Sequence, residues 1–123
     1  MGHLYAIEYK RDLDLLDISW SGLFSPDGVA QYAADCRLCL QRERFQEGFL
    51  LRILMRDGQP LTQDALQMMK TVFSDYPKPR RIAMITRGAI SRLQLKRALM
   101  VPNMQVFDNP DLALVWLLDR ALD

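Results

Sequence analysis

Two short runs, GFLLRILMR at 48–56 and RRIAMIT at 80–86, are apolar at nearly every position. A strand with one wet face alternates apolar and polar side chains, whereas a nearly continuous apolar run needs cover on both faces. Each run stops at a turn signal, Asp57-Gly58-Gln59-Pro60 after the first and Arg87-Gly88 after the second. The runs therefore read as buried strands of a sheet enclosed between layers, and the rest of the chain has to supply those layers.

Upstream, residues 4–10 (LYAIEYK) and 15–21 (LLDISWS) alternate with period two, and the intervening RDLD is short enough for a hairpin. Tyr5, Ile7 and Tyr9 share one face of the first; Leu16, Ile18 and Trp20 share one face of the second. Ser25-Pro26-Asp27 then reads as a helix start, with a hydroxyl cap, a proline where no amide hydrogen is needed and an acid at the positive dipole end. That helix runs to about Arg44. Thr62 caps a second helix to about Asp75, with Leu66, Met69, Val72 and Phe73 at helical spacing, and Pro77-Lys78-Pro79 stops it. A third helix spans 89–100 and a last strand 104–107. Asn109-Pro110-Asp111 repeats the cap-proline-acid device ahead of a final helix, so Asp108 and Asp111 read as helix-start residues before they read as catalytic carboxylates. The order ββαβαβαβα predicts an α/β fold, with a single mixed, mostly parallel five-stranded sheet and four helices. The hairpin is its antiparallel pair, and the crossovers are right-handed.

At 123 residues and 14.3 kDa the chain has the length of one domain, and a core of this size needs no disulfide or metal. The opening MGHLYAIEYKRDL has no apolar signal core, and no window is long enough to span a bilayer, so a cytoplasmic protein without membrane insertion is expected. Gly2 does not make a lipid anchor, because Ala6 stands where the myristoylation pattern requires Ser or Thr. Charge is uneven: residues 1–77 carry 8 basic and 11 acidic groups, 78–102 carry 7 and none, and 103–123 carry 1 and 4. The basic island of Lys78, Arg80, Arg81, Arg87, Arg92, Lys96 and Arg97 straddles a loop, a strand and a helix, so it is not a nucleic-acid signature. It can meet an acidic partner, an anion or the chain's own acids.

The element order, the closing stretch MQVFDNPDLALVWLLD and the RRIAMIT strand together resemble the SpoIIAA-like (STAS-type) domains. Their last strand leads into Phe-Asp or Phe-Glu and a helix with Ala and Trp-Leu placed as Ala113 and Trp116-Leu117 are here. The resemblance implies a small α/β domain that works by binding a protein partner in a regulatory setting. In anti-sigma-factor antagonists of this kind a serine in an Asp-Ser-Ser/Thr-Gly motif, at the start of the second helix, is phosphorylated and controls docking. Leu61-Thr62-Gln63-Asp64-Ala65 stands there in this chain, so the serine motif is missing and Thr62 reads first as a helix cap. Related families that bind lipids or other nonpolar molecules imply the alternative of a carrier or sensor of a small apolar or anionic ligand.

Open α/β sheets bind ligands in the crevice beyond the carboxyl ends of their strands. Phe24, Asp57, Gln59, Thr62, Thr86 and Arg87 fall at those ends and are the expected partner- or ligand-binding residues. Arg87 precedes a helix whose free amides attract anions, although pairing of Arg87 with surface acids is the plainer expectation. Catalytic, cofactor and metal sites are not expected. His3 is the only histidine, G-x-S-x-G and Gly-rich phosphate loops are missing, and Cys36-x-x-Cys39 sits in mid-helix, where two small core residues are expected instead of a redox pair. Arg52 interrupts the apolar run and needs Asp14 or Asp17 as its partner. Met68, Met69, Met100 and Met104 are expected to fill core gaps, with an adaptable apolar cavity as the alternative. The final helix is apolar in almost every direction. Its excess face, with Leu114, Leu117 and Leu118, is expected to be covered by a second copy in a homodimer unless the third helix, with Leu93, Leu95 and Leu99, covers it.

Overall fold

The structure, a computed structural model, describes residues 5–21, 26–55, 67, 71, 77–98 and 102–119. β1 (Tyr5–Lys10) and β2 (Leu15–Trp20) form the hairpin, in antiparallel register from Tyr5 opposite Trp20 to Lys10 opposite Leu15. In the connecting turn Leu13 N bonds to Lys10 O at 3.1 Å and Asp14 N to Arg11 O at 3.3 Å. Asp14 adopts φ 51°, a left-handed conformation that Asp tolerates better than most side chains. Its carbonyl then accepts from Leu50 N at 2.8 Å, which fastens the turn to the start of the next strand.

α1 (Pro26–Glu43) starts at the proline, with Asp27 in its first turn and Arg42 in its last; Ser25, the expected cap, lies outside the described residues. β3 (Leu50–Met55), β4 (Arg81–Thr86) and β5 (Met104–Phe107) continue the sheet. β2 to β5 pair in parallel and the sheet order is β1-β2-β3-β4-β5, so the fold is α/β with one mixed, mostly parallel five-stranded sheet. Among the described residues there are three helices: α1, α2 (Ala89–Ala98) and α3 (Pro110–Leu118). The helix expected over 62–75 falls almost wholly outside them. Within it Gln67 and Thr71 are helical, the Thr71 hydroxyl donating to Gln67 O at 3.2 Å. The described order is thus ββαββαβα.

The two apolar runs are explained by cover on both faces. Right-handed crossovers that step the same way along the sheet place α1 and α2 on one face. There Tyr32, Cys36 and Cys39 of α1 pack with Leu16, Ile18, Trp20, Leu51, Ile53, Met84 and Met104. Trp20 stacks on Tyr5 at 5.0 Å between ring centres and meets Tyr32 edge-on at 5.2 Å. On the opposite face Leu15, Leu50, Ala83 and Ile85 pack with Ala113 and Leu117 of α3. Both parities of β4 are therefore buried along its whole length.

α3 is held at both ends. Asn109 caps it, its side-chain oxygen accepting from Asp111 N at 2.8 Å and Leu112 N at 3.1 Å, with Pro110 in the first turn as expected. At the other end Arg81 is buried, not part of a surface basic island: its Nη1 donates to Trp116 O at 2.9 Å and Leu117 O at 3.1 Å. Its guanidinium also lies 5.7 Å from the Trp116 ring centre. A cation on the last carbonyls complements the negative end of the helix dipole. Trp116 packs at 5.7 Å from Phe107, so it serves the core of this chain. Leu117, expected at a dimer contact, is 0% exposed in the chain's own core and cannot meet a second copy. Leu114 is half-buried against the same cluster, and Leu118 is exposed.

Candidate functional site

β3 and β4 end side by side, Met55 opposite Thr86, and the link from β5 to α3 comes over them. A crevice of about 260 Å³ opens there. Leu54, Met55, Ile85 and Pro110 give it apolar walls, and the exposed Arg87 and Asp108 stand on its rim with opposite charges. Thr86 is 0% exposed and among the described residues its Oγ1 has no hydrogen-bond partner, a cost normally avoided for a buried hydroxyl. α2 begins two residues beyond Arg87, and Arg92 N bonds to Gly88 O at 3.0 Å, so a glycine holds the cap position of α2. It has no side chain to accept from the first-turn amides, and no acid stands in that turn.

Thr86 and Arg87 are thus brought together at the carboxyl ends of the strands, as expected; Phe24, Asp57, Gln59 and Thr62 lie outside the described residues. Asp108 and Pro110 were expected only as parts of a helix start. They reach the crevice because the same strand-end rule applies to β5, whose carboxyl end is Phe107.

A second hollow of about 300 Å³ adjoins the crevice and shares Leu54 and Pro110 with it. It lies over the α3 face of the sheet, and its remaining lining is Ala6, Glu8, Asp17, Ser19 and Arg52. The register places Glu8, Asp17 and Arg52 in one row across β1, β2 and β3. Asp17, not Asp14, partners Arg52: Nε donates to Oδ1 at 2.9 Å and Nη2 to Oδ2 at 2.7 Å. Nη1 donates to Pro110 O at 3.2 Å, and Lys10 Nζ stands 3.1 Å from Asp17 Oδ2. Burial alone would push the Asp17 carboxyl up, but hydrogen bonds from Arg52 and Lys10 and their positive charges outweigh it and hold the group below the usual carboxylate range. Asp14, at the hairpin turn, accepts instead from the Tyr9 hydroxyl. Through its bond to Pro110, Arg52 fixes the start of α3 and so the wall between the two hollows.

Of the remaining candidates, Cys36, Cys39 and Met104 belong to the core. Cys36 and Cys39 are buried and not joined in a disulfide, and burial pushes the Cys39 thiol up, away from the reactive thiolate. Met104 is buried in the α1-side core, while Met68, Met69 and Met100 lie outside the described residues. Among the described residues no three His, Cys, Asp or Glu side chains converge as metal ligands, and no helix is long and apolar enough to cross a membrane. The site and fold define a layered α/β domain with a small apolar crevice under a charged rim. Compared with known protein families, curated proteins and solved structures, the chain matches none.

Proposed function

We propose that this domain acts by binding, and that the crevice between β3, β4 and the start of α3 receives a projecting side chain of a regulatory protein partner. The observation that carries the reading is the anatomy of the crevice: apolar walls from Leu54, Met55, Ile85 and Pro110 beneath a rim of Arg87 and Asp108. Apolar centres with polar borders are the usual build of protein-protein contacts. About 260 Å³ also falls below the usual range of drug-sized ligand pockets, roughly 300–1,000 Å³, and suits one anchoring side chain. Regulation through Thr62 is not part of the proposal, since the serine motif that the resemblance would require is replaced there.

A second reading, a small anionic ligand at the same place, rests on the buried Thr86 hydroxyl, which has no partner among the described residues, beside Arg87 and the glycine-capped start of α2. The two readings separate experimentally. Chemical crosslinking in cells is expected to capture a protein whose yield drops at least tenfold in Arg87→Glu and holds in Glu8→Gln. Equal capture by both variants refutes docking at the crevice. A phosphate titration followed by amide NMR shifts at residues 86–90 that vanish in Arg87→Ala supports the ligand reading, and unchanged shifts in that variant remove it.

A further inference from the structure

Five of the six large apolar side chains that stand most exposed among the described residues lie on α2 and α3: Ile90 and Leu93 on the first, Leu112, Val115 and Leu118 on the second. On each helix they form a stripe at three-residue spacing, the geometry of a contact face. Leu93 is 54% and Val115 68% exposed, too much for side chains already covered within the chain.

The two stripes carry opposite charge. Ile90 and Leu93 share the outer face of α2 with the exposed Lys96 and Arg97, and residues 78–102 contain no acid at all. Leu112, Val115 and Leu118 share the outer face of α3 with the exposed Asp111 and Asp119, and the one basic residue of 103–123, Arg120, lies outside the described residues. Within one chain the stripes cannot meet. α3 packs on β3, β4 and β5 against the Leu15, Leu50, Ala83 and Ile85 face, whereas the right-handed crossover that parallel strands require between β4 and β5 puts α2 on the other side of the sheet. The third helix expected from the sequence as internal cover for the last one therefore cannot serve as such.

We infer that the partner of these stripes is a second copy of this chain, with α2 of one copy seated on α3 of the other. Each such contact sets one apolar stripe on another and brings Lys96 and Arg97 toward Asp111 and Asp119; because the two stripes lie on opposite sides of the sheet, the contact is heterologous and repeats from copy to copy. Like helices could not pair equally well, because α2 against α2 opposes cations to cations and α3 against α3 opposes acids to acids. Leu117 takes no part, and Leu114 contributes to the intramolecular core. The inference is independent of the crevice reading, since neither Arg87 nor Thr86 belongs to the stripes.

Sedimentation of the full chain at micromolar concentration tests it. The wild type is expected above the 14.3 kDa of one copy, with association weakening as salt is raised. Lys96→Glu with Arg97→Glu reverses the charge of the α2 stripe, and Asp111→Lys with Asp119→Lys reverses that of α3. Each variant alone is expected at 14.3 kDa, and a one-to-one mixture of the two is expected to associate again, because each reversed stripe then finds its complement. Should a reversed chain fail to give the wild-type circular dichroism spectrum, Leu93→Ser and Val115→Ser replace the reversals. These exposed changes leave the spectrum intact and are each expected to weaken association at least tenfold. A wild type that stays at 14.3 kDa overturns the inference, as do folded reversal variants that still self-associate or a mixture that does not.

Discussion

Replacing Asp17 by Asn removes one negative charge and almost no volume, and so isolates what the carboxylate does for Arg52. In the native protein both guanidinium edges facing Asp17 are used, at 2.9 and 2.7 Å, and the side chains are only 12% and 19% exposed. Breaking a fully buried pair by deleting one partner costs about 3–5 kcal/mol, while deleting an exposed pair costs about 0–1 kcal/mol. Arg52 keeps its bond to Pro110 O, and the hollow beside it admits some water, so Asp17→Asn is expected to cost about 2–3 kcal/mol. Urea unfolding at neutral pH measures this directly, and the midpoint of a thermal melt should fall by on the order of 10 °C. The pH dependence fixes the sign. Asp17 titrates lower in the folded chain than its ordinary value of 3.8, so its contribution is fully present above that pH and is lost as the pH falls through the folded value. The wild-type and Asp17→Asn stabilities should therefore differ at pH 7 and converge below pH 3.8. A difference below about 0.5 kcal/mol at neutral pH, or one that persists undiminished in acid, refutes the assignment of Asp17 as the counter-ion that makes a buried Arg52 tolerable.

Asn109→Ala should destabilise the chain by about 1 kcal/mol in the same urea assay, because two first-turn amides of α3 lose their acceptor. Leu117→Ala should cost about 2–5 kcal/mol, the range for a truncated, fully buried leucine, whereas Leu118→Ala at the exposed neighbour, compared in a chain held monomeric by Lys96→Glu with Arg97→Glu, should stay within about 0.5 kcal/mol. Equal costs at 117 and 118 would show that α3 is rotated from the orientation described. The two thiols should react with a chromogenic disulfide reagent within minutes in denaturant and only after global or local opening in native buffer, since Cys36 and Cys39 are 0% and 2% exposed. Rapid native labelling of Cys39 would contradict its burial.

Period and punctuation made the sheet legible. The hairpin followed from alternation on either side of RDLD, and the central strands from apolar runs closed by turn residues; the observed strands 50–55 and 81–86 sit inside the expected 48–56 and 80–86. The start of α3 was legible because a cap, a proline and an acid act locally, without help from the rest of the chain. The orientation of α3 was not. With apolar residues all around its axis, nothing in the pattern distinguishes Ala113 and Leu117, which face the sheet, from Leu112 and Val115, which face away. Arg81 was misread for a related reason: a cation in a basic run and a cation on helix carbonyls look alike until the helix is in place. The choice between Asp14 and Asp17 for Arg52 turned on register, since Asp17 lies directly opposite Arg52 while Asp14 belongs to the turn. Of the crevice, Thr86 and Arg87 were legible from the strand-end rule; its Asp108 and Pro110 wall depended on how the β5 link folds back.

The sheet order repeats the chain order, which gives the fold a direction of growth. As the polypeptide emerges from a ribosome, every new strand docks on the flank left open by the one before it, so the slab widens from the hairpin outward. The side bearing Leu15, Leu50, Ala83 and Ile85 waits longer, because much of its shelter is residues 110–118, which are synthesised after all five strands. A nascent or clipped polypeptide that lacks those nine residues would offer bare hydrocarbon to whatever it meets, making this short stretch the step that separates a finished fold from a client for chaperones.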